Sequence, residues 1–458
     1  MRSEVFYLTP YSLLLTCQFG EYCLISYIIQ PGGSLQGRLR VPGDKSISHR
    51  SVMLGSLAEG EARVSGLLEG EDVLSTLGAF RAMGVRAEGP DNGKLVIQGA
   101  GLHGLKAPAK PLDMGNSGTA MRLMAGILAG QSFDSVLIGD ESLSKRPMKR
   151  VSEPLGRMGA VIETAEGGRP PLRIRGGQKL RGIEYPMPVA SAQVKSSLLL
   201  AGLYADGETT VTEPAPTRDH TERMLRGFGY SVKTDGARIS LHGGGKLKAC
   251  SIDVPADISS ATFFLVGASI APGSDLVLEH VGINPTRIGV LNILKLMGAN
   301  LEQLNAREVG GEPVADIHVR AARLHGVRIP EDQVPLAIDE FPALFIAAAC
   351  AEGETVLTGA HELRVKESDR IAVMAQGLKR LGIDARETPD GIIIKGGRLQ
   401  GGEIESHGDH RIAMSFAMAG LVAAGSIKVR DCKNVDTSFP GFVCLAAQAG
   451  LSIKVDKN

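Results

Sequence analysis

FPALFIAAACAEGETVLTG, Phe341 to Gly359, sets two elements of opposite character end to end. Its first eleven residues are apolar on every side, which suits a helix covered all round rather than one lying on a surface. AEG then stops the helix, and ETVLTG reads as a short β-branched strand ending at glycine. The same turn and strand recur as AEGEARVSG from Ala58, AGQSFDSVLIG from Ala129, ADGETTVTE from Ala205, APGSDLVLE from Ala271 and AAGSIKVRD from Ala423. A second mark keeps step with the first. In MGVRAE, MGAVIE, FGYSVK, MGANLE, LGIDAR and AGLSIK a helical segment stops at Gly84, Gly159, Gly229, Gly298, Gly382 or Gly450 and runs into a strand. Each unit of roughly 70 residues therefore reads as buried helix, turn, strand, second helix, glycine cap and strand. With 58 glycines punctuating short strands, the economical arrangement is α/β, with helices inside and sheets outside. A chain of 458 residues exceeds what one core usually holds, which favours two groups of three units, divided near VPADISS at 254–260. A solenoid fits less well, because the spacing is uneven and polar clusters interrupt it.

Bulk composition removes several classes of function. A hydrophobic content of 43% with 22% charged residues is globular. Fifty basic and fifty acidic residues cancel, and aromatics reach only 4% with no tryptophan. Neither nucleic acid nor an anionic membrane is expected as a partner. Six cysteines, at 17, 23, 250, 350, 432 and 444, show no CxxC and no zinc spacing, which points to reduced thiols in the cytoplasm and to no metal. Residues 1–33 contain the apolar runs YSLLLTC and CLISYII, split by Gln18 and Glu21. They are read as an N-terminal extension outside the fold, in preference to a signal peptide or membrane anchor.

Five polar clusters sit where a loop feeds an apolar helix: GDKSISHRS, DMGNSGTAMRL, ASAQVKSSLLLAG, AIDEFPALF and SHGDHRIAMSF. Ser, Asn and Asp are ordinary N-caps, so capping is the default for any one of them. Five together mean more, because helix N-termini carry free N–H groups and partial positive charge, a setting for phosphate or carboxylate. Lys45, Arg50, Arg122, Lys145, Arg146, Arg218, Lys366, Arg370 and Arg411 all fall in loops or first turns, which implies a ligand with at least two anionic groups. Glu367, between Lys366 and Arg370, is either a surface ion pair or an acid–base group. Asp339 is by default an N-cap. No GxxxxGK[ST], strand-linked GxGxxG, HExxH or GxSxG occurs. What remains is transfer chemistry run by electrostatics and acid–base groups.

In order and spacing, PGDKSISHR, GNSGTAMR, SLSKRPM, SAQVKSS, PTRDHTE, NPTR, RVKESDR and DHRIAMSF resemble the signatures of the 5-enolpyruvylshikimate-3-phosphate synthase family, from about Leu35 to the C-terminus. The resemblance implies a two-domain inside-out α/β barrel of six βαβαββ units. Residues 34–44 with 257–458 would form one domain, and 45–256 the other, inserted one. It implies transfer of the enolpyruvyl group of phosphoenolpyruvate to the 5-hydroxyl of shikimate 3-phosphate by a cytoplasmic monomer without a cofactor. Residue by residue, it implies that Lys45, Ser46, Arg50, Ser191, Ala192, Gln193, Arg218, Asp339 and Lys366 hold shikimate 3-phosphate. Lys45, Gly118, Arg146, Gln193, Arg370 and Arg411 would hold phosphoenolpyruvate, and Asp339, Glu367 and Lys45 would be catalytic. GDKS, RDHTE, SAQVK and NPTR resemble the subgroup tolerant of glyphosate, though glycine stands at 118 where a well-known tolerant member has alanine. Thr437 and its neighbours lack a lysine common in the family. The sister family, which acts on a UDP-sugar, usually carries a cysteine on the loop that here reads GDESLSKRPM, and no cysteine lies between 24 and 249. A non-catalytic anion-binding scaffold would keep the basic loops without needing Asp339 and Glu367.

Overall fold

The computed structural model describes residues 25–457; YSLLLTC and the first two residues of CLISYII lie outside them. Among the described residues the strands form six separate sheets, and no helix is long and apolar enough to cross a membrane. Each alanine–glycine mark opens one strand of a different sheet: Glu59–Ser65, Ser135–Ile138, Glu208–Thr212, Asp275–Gly282, Glu354–Leu357 and Ile427–Arg430. The six capping glycines all have left-handed backbone, with φ between +78° and +120°, where a Cβ would be strained.

Helices are inside. In Ile258–Ile270, 12 of 13 residues are buried, and in Phe341–Cys350, 9 of 10, so neither has a solvent face. The corresponding helices Lys45–Leu57, Gly118–Ala129, Ala192–Gly202 and His410–Ala419 are covered in the same way. Strands alternate instead: Ala62 and Val64 point inward while Glu61, Arg63 and Ser65 face water, the pattern of a sheet packed on one side.

The sheets share one strand order. In the first, Ser251–Asp253, Glu59–Ser65, Lys94–Ala100 and Arg86–Asp91 lie side by side, with the first pair parallel and the others antiparallel. In the fifth, two isolated bridges, His325 to Glu352 and Arg328 to Val356, replace the parallel edge strand. For Ile25–Ile29 the sixth corrects the expectation that residues 1–33 stand outside the fold. Its third place, between Ile427–Arg430 and Ile453–Lys457, is filled by Ile25–Ile29, antiparallel to both. The last unit thus takes its missing strand from the other end of the chain. Tyr27 and Ile29 are buried in the core beneath, each side chain stabilising the fold by about 1.5–3 kcal/mol.

Two apolar cores result. One collects Tyr27 to Val41 and Ala256 to Ile453, the other Ile47 to Val254. The chain passes between them twice, and the two crossings touch: Asp44 N–H donates to Pro255 O at 2.8 Å and Asp257 N–H to Pro42 O at 2.9 Å. Gly43 is required there, since a Cβ would lie 1.9 Å from Gly66 O.

Candidate active site

The two crossings lead straight into two inner helices, so both helix starts face the junction between the halves. Asp44 caps Lys45–Leu57 by accepting from Ile47 N at 2.8 Å, and Asp257 caps Ile258–Ile270 by accepting from Ser259 N at 2.8 Å. Buried Arg287 lies between the two caps, 3.4 Å from each carboxylate, and donates to Ser259 Oγ at 2.6 Å. Capping and hinge thus use the same aspartates.

In the first helix turn Lys45 Nζ sits 2.5 Å from Asp72 and donates to Ser438 Oγ of the other half at 2.9 Å. Ser438 adjoins Thr437, whose own hydroxyl donates to Asn434 O at 2.7 Å. Arg50 is buried, donating to Thr221 Oγ1 and Ser196 Oγ at 2.7 Å and to Ser46 O at 2.9 Å. Burial, outweighing nearby carboxylates, pulls its pKa down to about 10, so it remains a cation at neutral pH. His49, for which the sequence suggests no role, bonds Thr76 Oγ1 through Nδ1 at 2.8 Å and Ser117 Oγ through Nε2 at 3.4 Å. Since Thr76 donates to Asp72 O, it must accept from His49, which assigns the neutral Nδ1–H tautomer. Burial pushes the pKa of His49 down to about 3, consistent with that neutral ring.

Ser117 caps Gly118–Ala129 and Ser191 caps Ala192–Gly202, bringing two more helix starts to the same face. Gln193 joins them: its amide donates to Thr119 Oγ1 at 2.9 Å and accepts from Arg122. Arg146 donates to Asn116 Oδ1 at 2.8 Å and stands 3.9 Å from Glu367 across the cleft. A Cβ at Gly118 would lie 3.2 Å from Arg122 Nη1 and 3.4 Å from Arg146 Nη1, so the glycine leaves room for both guanidiniums.

The opposite wall is built around Arg370, which starts the helix Arg370–Arg380 and is almost wholly buried. Three carboxylates surround it: Asp409 at 2.8 Å from Nε, Glu367 at 2.7 Å from Nη2 and Asp339 at 3.5 Å from Nη1. Asp409 has a double duty, since it also caps His410–Ala419 by accepting from Arg411 N at 3.0 Å. Asp339 is further paired with Arg218 of the other half and with Lys366 at 3.4 Å, and its carbonyl accepts from Arg411 Nη1 at 2.9 Å. Burial alone would raise its pKa, but Lys366, Arg218, Arg411 and Arg370 together hold it well below the usual carboxylate range. Glu367 keeps 31% of its side-chain surface open. Its pKa too is driven down, with Arg370 and Arg146 overriding desolvation.

Lys45, Gln193, Arg146, Arg218, Asp339, Lys366, Glu367, Arg370 and Arg411 therefore converge on one cleft, with Ser46, Arg50, Gly118, Ser191 and Ala192 at its helix starts. Lys145 does not: it is exposed and pairs with Glu141 at i,i+4. Asp339 does not cap its helix, which begins at Phe341 after an N-cap, Glu340, that makes no side-chain capping bond. Residues without an assigned role in the sequence also take part. Asp72 fixes Lys45, Asp409 fixes Arg370, Arg287 ties the crossings, and Arg122 orients Gln193. Arg122 stood among the first-turn cations, Arg287 ends NPTR and Asp409 precedes the His-Arg pair, but Asp72 gave no signal, because a buried ion pair leaves no local pattern. Among the described residues no cluster of His, Cys, Asp and Glu could hold a metal.

Residues 29–444 match the family model described as EPSP synthase (3-phosphoshikimate 1-carboxyvinyltransferase). A protein of Nitrosococcus oceani named 3-phosphoshikimate 1-carboxyvinyltransferase is 67% identical over 433 residues, 94% of this chain and 98% of its own length. One of the same name from Methylococcus capsulatus is 68% identical over 425 residues, 93% of this chain and 97% of its own. A solved EPSP synthase structure from Acinetobacter baumannii superposes with a TM-score of 0.87 at 63% identity, covering 94% of this chain and all of that one.

Proposed function

The chain belongs to the EPSP synthase family, and on that premise we propose that it transfers the enolpyruvyl group of phosphoenolpyruvate to the 5-hydroxyl of shikimate 3-phosphate, releasing phosphate. The observation that carries this reading is a pair of carboxylates, Asp339 and Glu367, held 3.5 Å and 2.7 Å from the two ends of one guanidinium inside a cationic cleft. Such a pair serves a reaction that moves one proton at an oxygen and another at a carbon while anions are held on both sides.

Shikimate 3-phosphate is assigned to Lys45, Ser46, Arg50, Ser191, Ala192, Gln193, Arg218, Asp339 and Lys366. Phosphoenolpyruvate is assigned to Lys45, Gly118, Arg146, Gln193, Arg370 and Arg411, where planar guanidiniums match carboxylate and phosphate oxygens in pairs. Bound anions would compete with Asp339 for Arg218 and Lys366, and with Glu367 for Arg146. Losing those cations raises the proton affinity of both carboxylates. Asp339 then takes the proton of the 5-hydroxyl as its oxygen bonds to C2 of phosphoenolpyruvate. Glu367 gives a proton to the methylene carbon, making a methyl group, and Lys45 steadies the anionic adduct. In the second half Glu367 takes a proton back from the methyl group as the bond from C2 to the phosphate oxygen breaks, and Asp339 gives its proton to the departing phosphate. The same reading takes the chain as a cytoplasmic monomer whose partners are its small-molecule substrates. Its motifs resemble those of the glyphosate-tolerant-type subgroup, with Gly118 lacking the methyl of the tolerant member. The rival transfer to a UDP-sugar is disfavoured, since no thiol stands on the 139–148 loop.

The test is phosphate release by the purified protein. Release is expected only when shikimate 3-phosphate and phosphoenolpyruvate are both present; release with a UDP-sugar instead, or none with either acceptor, would overturn the reading.

A further inference from the structure

Three consecutive side chains of one half bond the other half. Arg218 pairs with Asp339, Asp219 accepts from Asn284 Nδ2 at 2.7 Å, and His220 Nδ1 lies 2.8 Å from Glu312. Asn284 Nδ2 also donates to Glu312 Oε2 at 2.9 Å, which joins the second and third of these contacts into one network next along the chain to Arg218. Glu312 follows the Gly310–Gly311 turn of a long hairpin, both glycines left-handed, and Gly311 O accepts from Arg223 at 2.9 Å. The hairpin tip is thus aimed across the cleft.

On its own half the segment is held at both ends. Lys195, 1% exposed, sits 3.0 Å from Glu213 and 2.6 Å from Glu222, and Thr221 is bonded to Arg50 and Ser196. His220, Glu312 and Asn284 are each at least nine-tenths buried. A buried polar group that loses its partner is costly, so the three bonds form or break with contact between the halves.

We propose that residues 213–222 are a clasp between the halves, and that Glu312 and Asn284 are positioning residues that hold Arg218 at the cleft beside Asp339, where a bound anion takes it over from the carboxylate. The proposal rests on the reading of Asp339 as the proton acceptor in enolpyruvyl transfer. Separating the halves would withdraw Arg218 from Asp339 while Lys366 and Arg370, of the same half as Asp339, stay beside it, so seating the clasp brings the last cation to the site.

Full-length wild type, Glu312→Ala, Glu312→Gln and Asn284→Asp test this in two ways: steady-state kinetics, and the radius of gyration by X-ray scattering with shikimate 3-phosphate added. Asn284→Asp sets a third carboxylate against Asp219 and Glu312. Glu312→Ala and Asn284→Asp are expected to lose at least tenfold in kcat and to stay more expanded than wild type at saturating shikimate 3-phosphate. Glu312→Gln, which keeps an acceptor for His220, should recover part of both. Wild-type kinetics and compaction in Glu312→Ala and Asn284→Asp would overturn the clasp while leaving the reaction assignment intact. An inactive wild type would overturn the reaction assignment instead, and the scattering comparison would still judge the clasp. If Glu312→Ala melts before assay, Asn284→Asp carries the decision.

Discussion

Asp339 and Glu367 show how a residue's surroundings decide its chemistry. Both are carboxylates beside Arg370, yet Asp339 also meets Arg218 and Lys366, while Glu367 opens to the cleft. Asp339→Asn and Glu367→Gln should each lower turnover by about 10²- to 10⁴-fold with the melting temperature little changed. Near-normal turnover in either would remove that residue from the mechanism. From the residues alone Asp339 reads as an N-cap and Glu367 as an ion pair or acid–base group; only the family resemblance joins them, and their shared guanidinium was not legible. His49 was legible only as one polar residue too many at a helix start. It is a buried neutral link between two helices and the Ser117 cap, with a pKa of about 3, and His410 has the same shift from the same cause. Unfolded, each would titrate near about 6.5. Between those values the unfolded chain binds more protons, so stability is full above about pH 6.5 and is lost as the pH falls toward 3. Each histidine contributes a slope of up to about 1.4 kcal/mol per pH unit. Urea unfolding from pH 6.5 to 5 should therefore show a shallower slope in His49→Gln, and an unchanged slope would contradict the assignment.

The six repeated helix–strand units could be read from alanine–glycine turns and glycine caps because those features are local. Ile25–Ile29 could not, because its partners lie some 400 residues away and a five-residue apolar run names no sheet. Pairing settles it: Ile25–Ile29 is antiparallel to Ile427–Arg430 on one side and Ile453–Lys457 on the other. A chain starting at Gly32 should be less stable than one starting at Leu24 by at least about 3 kcal/mol from the lost burial of Tyr27 and Ile29 alone. Denaturant midpoints of the two measure it, and equal midpoints would show that the strand contributes nothing.

Over the whole molecule the net charge is zero, but the charges are not evenly placed. Lys45, Arg146, Arg218, Lys366, Arg370 and Arg411 gather where two halves with separate cores meet. Attraction of a doubly anionic substrate by such a cleft is screened by salt, so kcat/KM should fall by about tenfold between 0.05 and 0.5 M salt. A flat response would mean that the cationic cleft does not draw the substrates in. Sequence periodicity predicted the inner helices and chain length their two groups, whereas the contact between the groups had to be seen, since it rests on buried pairs such as Arg287 with Asp44 and Asp257. The central claim is that proton transfer to and from the methylene carbon accompanies group transfer and that Glu367 carries it. Running the reaction in D₂O and examining the vinyl group of the product by NMR tests this most directly. Deuterium should appear at the vinyl carbon with wild type, and Glu367→Gln should suppress product and label together; a wild-type product free of deuterium would contradict the account.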